Sequence, residues 1–308
     1  MTQLRILKTL GLAQLQDGGR FGCRHLGVTQ GGALDWLAAG QANRLLGNAA
    51  NATVVEIPYG GLSMLVEEGG SLALCGADLA STLDGEPVDN NSSFIVRAGQ
   101  QLDCHTPRLG VRGYLAAADG FNAPSILGAS ATVSREALGG LLGDGRPLQA
   151  NDLLQAGSRQ VSASQLSVGD YFALDTPARL ALLFAAEYAG FSGRSLFDLT
   201  HQPWQVDPRA DRMGMRLQGP RLDYQGAGLI SSGIALGTVQ VPPDGQPIVL
   251  LQDRQTIGGY PRIGALTPLA VARLAQCAPG QSLRLYTIGQ EAARQQTLYW
   301  LQRLQQRL

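Results

Sequence analysis

The sequence is nearly without lysine: of 308 residues Lys8 is the only one, and every other basic residue is arginine. That scarcity excludes a phosphate-binding loop closed by Gly-Lys-Ser/Thr. It leaves Lys8 as the single candidate for a Schiff base, and it removes the Met-Lys-Met type of biotin-carrier motif. Cysteine is scarce as well, with four residues at 23, 75, 104 and 277 that are too scattered for a C-x-x-C site. Cys23-x-His25 and Cys104-His105 offer zinc-type ligands, but the reading adopted is buried or half-buried thiols and no metal. Charge of one sign is not in excess: 24 basic and 24 acidic residues give a formal net charge of zero, with no block of like charge. A nucleic-acid partner is therefore not expected. Long apolar runs are missing too. Residues 180–186 are followed by Glu187, far short of the roughly 20 residues that a helical span requires. Residues 1–19 carry Arg5 and Lys8 and lack the ordered regions of a secretion signal, so a cytoplasmic protein is expected.

Glycine, by contrast, is abundant, with 40 of 308 residues against a usual share of about 7%, and it follows no G-X-Y period. Tight turns between short strands are the consequence. Runs rich in β-branched and aliphatic residues recur at 53–57, 62–66, 71–75, 93–96 and 111–116, then at 179–184, 238–241, 248–251 and 282–288. The expected fold is mainly β with a few helices, in two β-rich domains. One helix is expected where Leu34, Leu37, Ala38, Ala42 and Leu45 share a face, with Gly47 at the left-handed cap and Asp35, Asn43 and Arg44 on the polar side. A second is expected over 291–308, with Ala293, Thr297, Trp300, Leu301, Leu304 and Leu308 inward and a charge distribution that suits the helix dipole. The Ser/Gln-rich stretch 158–167 reads as a surface connection. It places the domain boundary near 170, giving domains 1–170 and 171–308.

Three segments combine glycine with charged or amide side chains. The first, Gln16-Asp17-Gly18-Gly19-Arg20-Phe21-Gly22-Cys23-Arg24-His25-Leu26-Gly27, followed by Gly31-Gly32-Ala33-Leu34-Asp35, reads equally as a structural turn or a site; Asp17 and Arg20 are placed to form an ion pair. In the second, Asp211-Arg212-Met213-Gly214, Arg212 offers a planar fork to a carboxylate or phosphate, or makes an ordinary surface ion pair. The third runs from Val239-Gln240-Val241-Pro242-Pro243-Asp244-Gly245-Gln246-Pro247 through an apolar strand to Gln252-Asp253-Arg254-Gln255-Thr256-Ile257-Gly258-Gly259-Tyr260-Pro261. Polar side chains gathered at a strand end beside glycines suit a small-molecule pocket better than a core, and Asp253 and Arg254 are expected to face a ligand.

With these strings, and with Ala42-Asn43-Arg44-Leu45-Leu46-Gly47-Asn48 and Arg112-Gly113-Tyr114-Leu115, the chain resembles the carboxyltransferase subdomain A/B family. That family is also called allophanate hydrolase subunit 2, and its stand-alone members include the C-type subunits of 5-oxoprolinases. The resemblance implies a subdomain A-like β domain over 1–170 and a cyclophilin-like β-barrel with a C-terminal helix over 171–308. It implies B-type and A-type 5-oxoprolinase subunits as partners, and ATP with magnesium bound by or shared with a partner, with no biotin on this chain. It further implies a hydrolase reaction in which the lactam of 5-oxo-L-proline is opened to L-glutamate. On the matching positions, Arg254, Asp253 and Arg212 are the implied catalytic residues. Gln240, Thr256, Tyr260, Gly258, Gly259, Arg20 and Asp35 are the implied substrate contacts. Two other readings accompany the resemblance: a carboxyltransferase component of a biotin-dependent urea carboxylase or allophanate hydrolase system, and a non-catalytic regulator that binds a kinase-inhibitor-like partner. The sequence departs from the family pattern at Gly31, where serine is usual, at Ser232, where glutamate is usual, and at the turns Asp119-Gly120 and Asn151-Asp152.

Overall fold

A computed structural model describes residues 1–167, 169 and 173–306. Two compact units divide the chain: Met1–Phe21, Gly31–Asp175 and Gln302–Leu308 form the first, and Gly22–Gln30 with Thr176–Leu301 form the second.

The first unit is a sandwich of two six-stranded sheets. Its strands are β1 (Thr2–Lys8), β2 (Gln14–Gln16), β3 (Val54–Pro58), β4 (Leu62–Glu68), β5 (Gly70–Asp78), β6 (Thr82–Leu83), β7 (Glu86–Pro87), β8 (Ser92–Val96), β9 (Gln101–Cys104), β10 (Leu109–Ala117), β11 (Leu153–Ala156) and β12 (Ser164–Gln165). One sheet is ordered β11-β1-β4-β9-β6-β7 and the other β12-β8-β5-β10-β3-β2. Alternation explains their packing. Leu4, Ile6, Leu62, Met64, Val66, Leu72, Leu74 and Leu115 point between the sheets and form one continuous core. On the opposite face of the second sheet, Ala73, Cys75, Tyr114 and Ala116 pack under helix α1 (Trp36–Leu45) with Ala38, Ala42 and Leu45. Strands β5 and β10 are thus covered on both faces, which is why they read as unbroken apolar runs. The Cys75 thiol, sealed in this layer, is pushed far above its usual range by burial.

The start of α1 is held by a closed polar network. Asp35 caps the helix, its carboxylate accepting from Ala38 N at 3.0 Å. Leu34 N donates to Glu56 Oε2 (2.9 Å), Asp35 N donates to the Tyr114 hydroxyl (2.8 Å), and that hydroxyl donates to Glu56 Oε2 (2.8 Å). Burial, reinforced by the Glu56 charge, drives the Tyr114 hydroxyl well above its ordinary range, so it remains a donor. Gly47 does take the left-handed conformation (φ +65°) expected beyond the helix end. The expected polar face of α1 is not solvated, however: Asn43 is fully buried, its Nδ2 donating to Ala52 O at 2.8 Å. Gly40 makes room for the last turn of the C-terminal helix, since a Cβ there would lie 2.7 Å from Leu304 Cδ1.

In the second unit, β13 (Ala178–Phe184), β14 (Trp204–Val206), β15 (Gly214–Gln218), β17 (Thr238–Gln240), β18 (Ile248–Leu250), β20 (Arg262–Leu266) and β21 (Ser282–Thr287) close into a barrel ordered β13-β20-β17-β18-β15-β14-β21. A separate ribbon pairs β16 (Ser232–Gly233) with β19 (Ile257–Gly258). Leu180, Leu182, Trp204, Leu217, Val239, Val249 and Ile263 fill the core. Helix α2 (Gly193–His201), capped by Ser192, packs on β21. Helix α3 (Pro268–Leu274), capped by Thr267 with Pro268 in its first turn, packs on β13 and β20. The expected hairpin after β17 is a β-turn in which Gly245 N donates to Pro242 O at 2.9 Å; Gly245 there has φ +76°.

Helix α4 (Gln290–Gln305) covers most of the expected C-terminal helix; positions 307 and 308 lie outside the described residues. Of its expected inward face, Ala293 and Leu304 are buried but Leu301 is exposed. Thr297 and Trp300 of the same face are half-buried, so the inward stripe runs through 293, 297, 300 and 304 at helical spacing and Leu301 falls beside it. Among the described residues, no helix is long and apolar enough to cross a membrane.

The polar network beneath α1 gives a stability prediction. Tyr114→Phe removes the acceptor of Asp35 N and a donor to buried Glu56, and should cost about 1–3 kcal/mol. Urea unfolding would register it as a lower midpoint at unchanged slope. An unshifted midpoint would show that the helix start does not depend on this hydroxyl.

Candidate functional site

The barrel register creates the charged cluster. Gly214 of β15 pairs with Leu250 of β18, so the residues just before one strand meet those just after the other. Leu251 N donates to Met213 O and Asp253 N to Arg212 O, each at 2.9 Å. Asp211 shapes the approach, its Oδ1 accepting from Met213 N (2.8 Å) and Gly214 N (2.9 Å). Side chains 41 positions apart in sequence then dock as a fork: Arg212 Nε reaches Asp253 Oδ2 at 2.9 Å and Arg212 Nη2 reaches Asp253 Oδ1 at 3.0 Å. Both are largely buried, which strengthens a charge-assisted pair of this geometry.

Arg254 lies in the turn after β18 and is 3% exposed. Its Nη1 donates to Leu251 O (3.1 Å), its Nη2 to Gln30 Oε1 (3.1 Å) and its Nε to Ile234 O (3.4 Å). Burial, with Arg24 nearby and Asp253 opposing, pushes the Arg254 guanidinium down to about 10, so it remains a cation at neutral pH.

Arg24 comes from the glycine-flanked segment 22–30. Its Nη2 donates to Ile234 O (2.8 Å), Gln255 O (3.0 Å) and Thr256 O (3.3 Å). Arg24 and Gln30 were missed by reasoning on the sequence, although Arg24 stands inside the first glycine-rich segment. Nothing local signals that the segment belongs to the barrel unit.

The structure brings Arg212, Asp253 and Arg254 together with Thr256, whose carbonyl also accepts from Ile234 N at 3.1 Å. Gly258 adjoins Gln240, and Gly259 lies beside Ser231. Tyr260 is half exposed and borders a pocket of about 240 Å³ with Tyr224, Arg221 and Pro243. Arg20 and Asp35 belong to the first unit. There Arg20 is buried, with Nε donating to Ile126 O (3.0 Å) and Nη2 to Ala129 O (3.4 Å), and Asp35 is the cap of α1. Asp17 in the same segment binds Gly19 N (2.7 Å), Ser130 N (2.6 Å) and the Ser130 hydroxyl (3.0 Å).

Asp253 and Arg254, expected to face a ligand at the strand end, are both buried and bonded to protein groups. β18 ends at Leu250, and in the turn that follows Asp253 N donates to Arg212 O at 2.9 Å and Arg254 N to Leu251 O at 3.2 Å. Chemically, the result is a set of preorganised cations. Asp253 accepts the Arg212 fork on both oxygens, which suits orienting a guanidinium more than removing a proton.

The carboxyltransferase domain, subdomain A and B, family matches residues 26–287. The C-type 5-oxoprolinase subunit of Escherichia coli strain K12 is 38% identical over 292 residues, and that of Haemophilus influenzae 36% identical over 291. Each alignment covers 94% of this chain and 93% of the relative. Among solved structures, the protein TTHA0988 superposes with a TM-score of 0.83 at 34% identity over 93% of this chain, which spans 56% of that longer chain. The urea amidolyase of Kluyveromyces lactis superposes with a TM-score of 0.91 over 98% of this chain at 20% identity, a likeness of fold; this chain spans 20% of it. The mainly β architecture, the closed barrel and the extent of these matches agree, and the chain belongs to the carboxyltransferase subdomain A and B family.

Proposed function

We propose that this chain is the C-type subunit of an ATP-dependent 5-oxoprolinase that opens 5-oxo-L-proline to L-glutamate in the cytoplasm, in complex with B-type and A-type subunits. The family assignment and the C-type relatives support the reading. The observation that carries it within the molecule is the buried Arg212–Asp253–Arg254 cluster at the end of β18. The same proposal divides the chain into a subdomain A-like part, 1–170, and a cyclophilin-like part, 171–308.

A lactam is a resonance-stabilised amide, and direct attack by water is slow. Transfer of the γ-phosphoryl group of ATP to the lactam oxygen yields ADP and an activated ring carbon. Water then adds to that carbon and the C–N bond breaks to give the free amine and an acyl phosphate, which a second water cleaves to release phosphate and glutamate. ATP and its magnesium are assigned to the partner proteins, because this chain has one lysine and no phosphate loop. Its own contribution is electrostatic. The Arg254 cation, with Arg212 held by Asp253, stabilises charge that develops on the lactam oxygen and on the tetrahedral carbon's oxygen. The likeness to urea amidolyase favours a second reading, carboxyl transfer to urea. That role requires a biotinylated partner and would show as biotin-dependent turnover.

Two outcomes are expected. In the complex reconstituted with its neighbouring proteins, Arg254→Ala should lower kcat for ATP-dependent glutamate release by about 10²–10³-fold. Arg254→Lys should keep part of that rate, and the isolated chain should release no glutamate. Undiminished turnover in the alanine variant would remove Arg254 from the mechanism. Separately, Asp253→Ala leaves a largely buried Arg212 without its fork partner and should cost about 2–4 kcal/mol, discounted slightly for residual exposure. The double variant Arg212→Met/Asp253→Ala should recover part of that loss in denaturant titration. Additive losses would show that the fork contributes no coupling.

A further inference from the structure

The second unit has a cavity that the arginine cluster does not line. Its volume is about 240 Å³, and its walls are Tyr224, Tyr260, Pro242, Pro243 and Pro261, with Arg221 and Asp223 beside them. Arg212, Asp253 and Arg254 take no part in it, and of the substrate contacts that the resemblance implies only Tyr260 does. Space of this size takes roughly a dozen non-hydrogen atoms at protein packing density. Rings of tyrosine and proline make a lining that favours a flat or cyclic group.

The walls are held in place by bonds to the rest of the unit. Leu222 N donates to Gly245 O (3.0 Å), Asp223 N to the Ser195 hydroxyl (2.7 Å) and Gln225 N to Gly190 O (2.8 Å). The Tyr224 ring meets Phe191 at 5.0 Å between centroids, and a Cβ at Gly190 would come within 2.5 Å of it. On the other side, Val241 N donates to Pro261 O at 2.9 Å. The two charges at the rim are kept apart. Arg221 lies along Gly245, where a Cβ would stand 2.4 Å from its Cγ, and its Nη2 donates to Pro243 O at 3.2 Å. Asp223 accepts from Gln225 Nε2 on Oδ2 at 3.0 Å. Among the described residues these are their side-chain bonds, so most of the guanidinium donors and Asp223 Oδ1 stay open.

We propose that this cavity binds a free α-amino acid with a ring in its side chain: the carboxylate on Arg221, the ammonium on Asp223, and the ring between Tyr224 and Tyr260. Opposite charges held side by side, but not on each other, suit a zwitterion, and the tyrosine faces add attraction for the ammonium. Neither end of the proposed reaction fits as well. 5-Oxo-L-proline has a carboxylate but no ammonium to meet Asp223. L-Glutamate would bring a second carboxylate against apolar walls, where an unpaired charge is costly. The cavity is therefore an effector site separate from the reaction, and it does not depend on the reading of the chain as a lactam-opening subunit.

Calorimetry on the full chain tests this with L-phenylalanine as the probe, set against N-acetyl-L-phenylalanine, L-phenylalaninamide, 5-oxo-L-proline and L-glutamate. L-Phenylalanine is expected to bind. Blocking its ammonium or its carboxylate should weaken binding by about tenfold, the scale of one lost hydrogen bond to a charged group. Arg221→Gln and Asp223→Asn should each weaken it by a similar factor at an unchanged Tm, because both side chains are exposed. The proposal is overturned if L-phenylalanine gives no binding heat at its solubility limit, or if 5-oxo-L-proline or L-glutamate binds as tightly. It is equally overturned if the blocked forms, or the two variants, bind as the unblocked amino acid does to wild type.

Discussion

A guanidinium removed from water must be given oxygens for its N–H groups, and at the end of β18 this demand sets the course of several separate segments. Arg254 takes one carbonyl from its own turn, a second from Ile234 ahead of the barrel strand β17, and a side-chain oxygen from Gln30. Arg24, six residues before Gln30, grips Ile234 again together with Gln255 and Thr256. The segment Gly22–Gln30 is thereby fastened to the barrel unit although the chain on either side of it belongs to the sandwich. Two cations sharing one carbonyl repel each other, and the depressed affinity of Arg254 for its proton expresses that repulsion together with burial. The arrangement persists because Asp253 stands beside Arg254 while its two oxygens hold Arg212.

The sandwich solves a different problem, that of covering one sheet on both sides. Its sheet-facing-sheet positions are large, Leu72, Leu74 and Leu115, and its helix-facing positions are small, Ala73 and Ala116. Small side chains bring α1 close to the sheet, and closeness leaves no water for the first backbone donors of the helix. Glu56, Tyr114 and Asp35 replace that water within the protein. Asp35, which the family resemblance implies as a substrate contact, thus has a structural task that its sequence position already announced, two residues before Leu37 and three before Ala38.

The strands were the most legible part of the fold because they depend on local composition. Each of the nine runs expected from β-branched and aliphatic content coincides with a strand, from β3 to β21. The helix α1 and the turn at Gly245 were legible from periodicity and turn residues. Helices α2 and α3 were missed even though Ser192 and the Thr267-Pro268 pair carry starting signals, because each is too short for a convincing apolar period. The site divides the same way. Residues 252–260 announced themselves by concentrating polar groups after an apolar strand. The fork between Arg212 and Asp253 depends on the β15–β18 register, and the placement of Arg24 on tertiary packing, neither of which a linear sequence displays. Burial of Arg254 was likewise unreadable, since an exposed arginine and one given three internal acceptors look alike in sequence.

Complete internal bonding does not disqualify Arg254 from chemistry; it changes how the residue would act. A guanidinium whose nitrogens are all engaged cannot swing out to clamp a ligand, but its charge is fixed in place and poorly screened. At an effective dielectric near 20, a unit charge about 4 Å from a developing oxyanion contributes on the order of 4 kcal/mol, with no reorganisation during the reaction. Arg212 is less able to do this, because the fork from Asp253 offsets its field at short range. Under the proposed function, the stabilisation would therefore fall to Arg254 ahead of Arg212, and Asp253 would act as a positioning group.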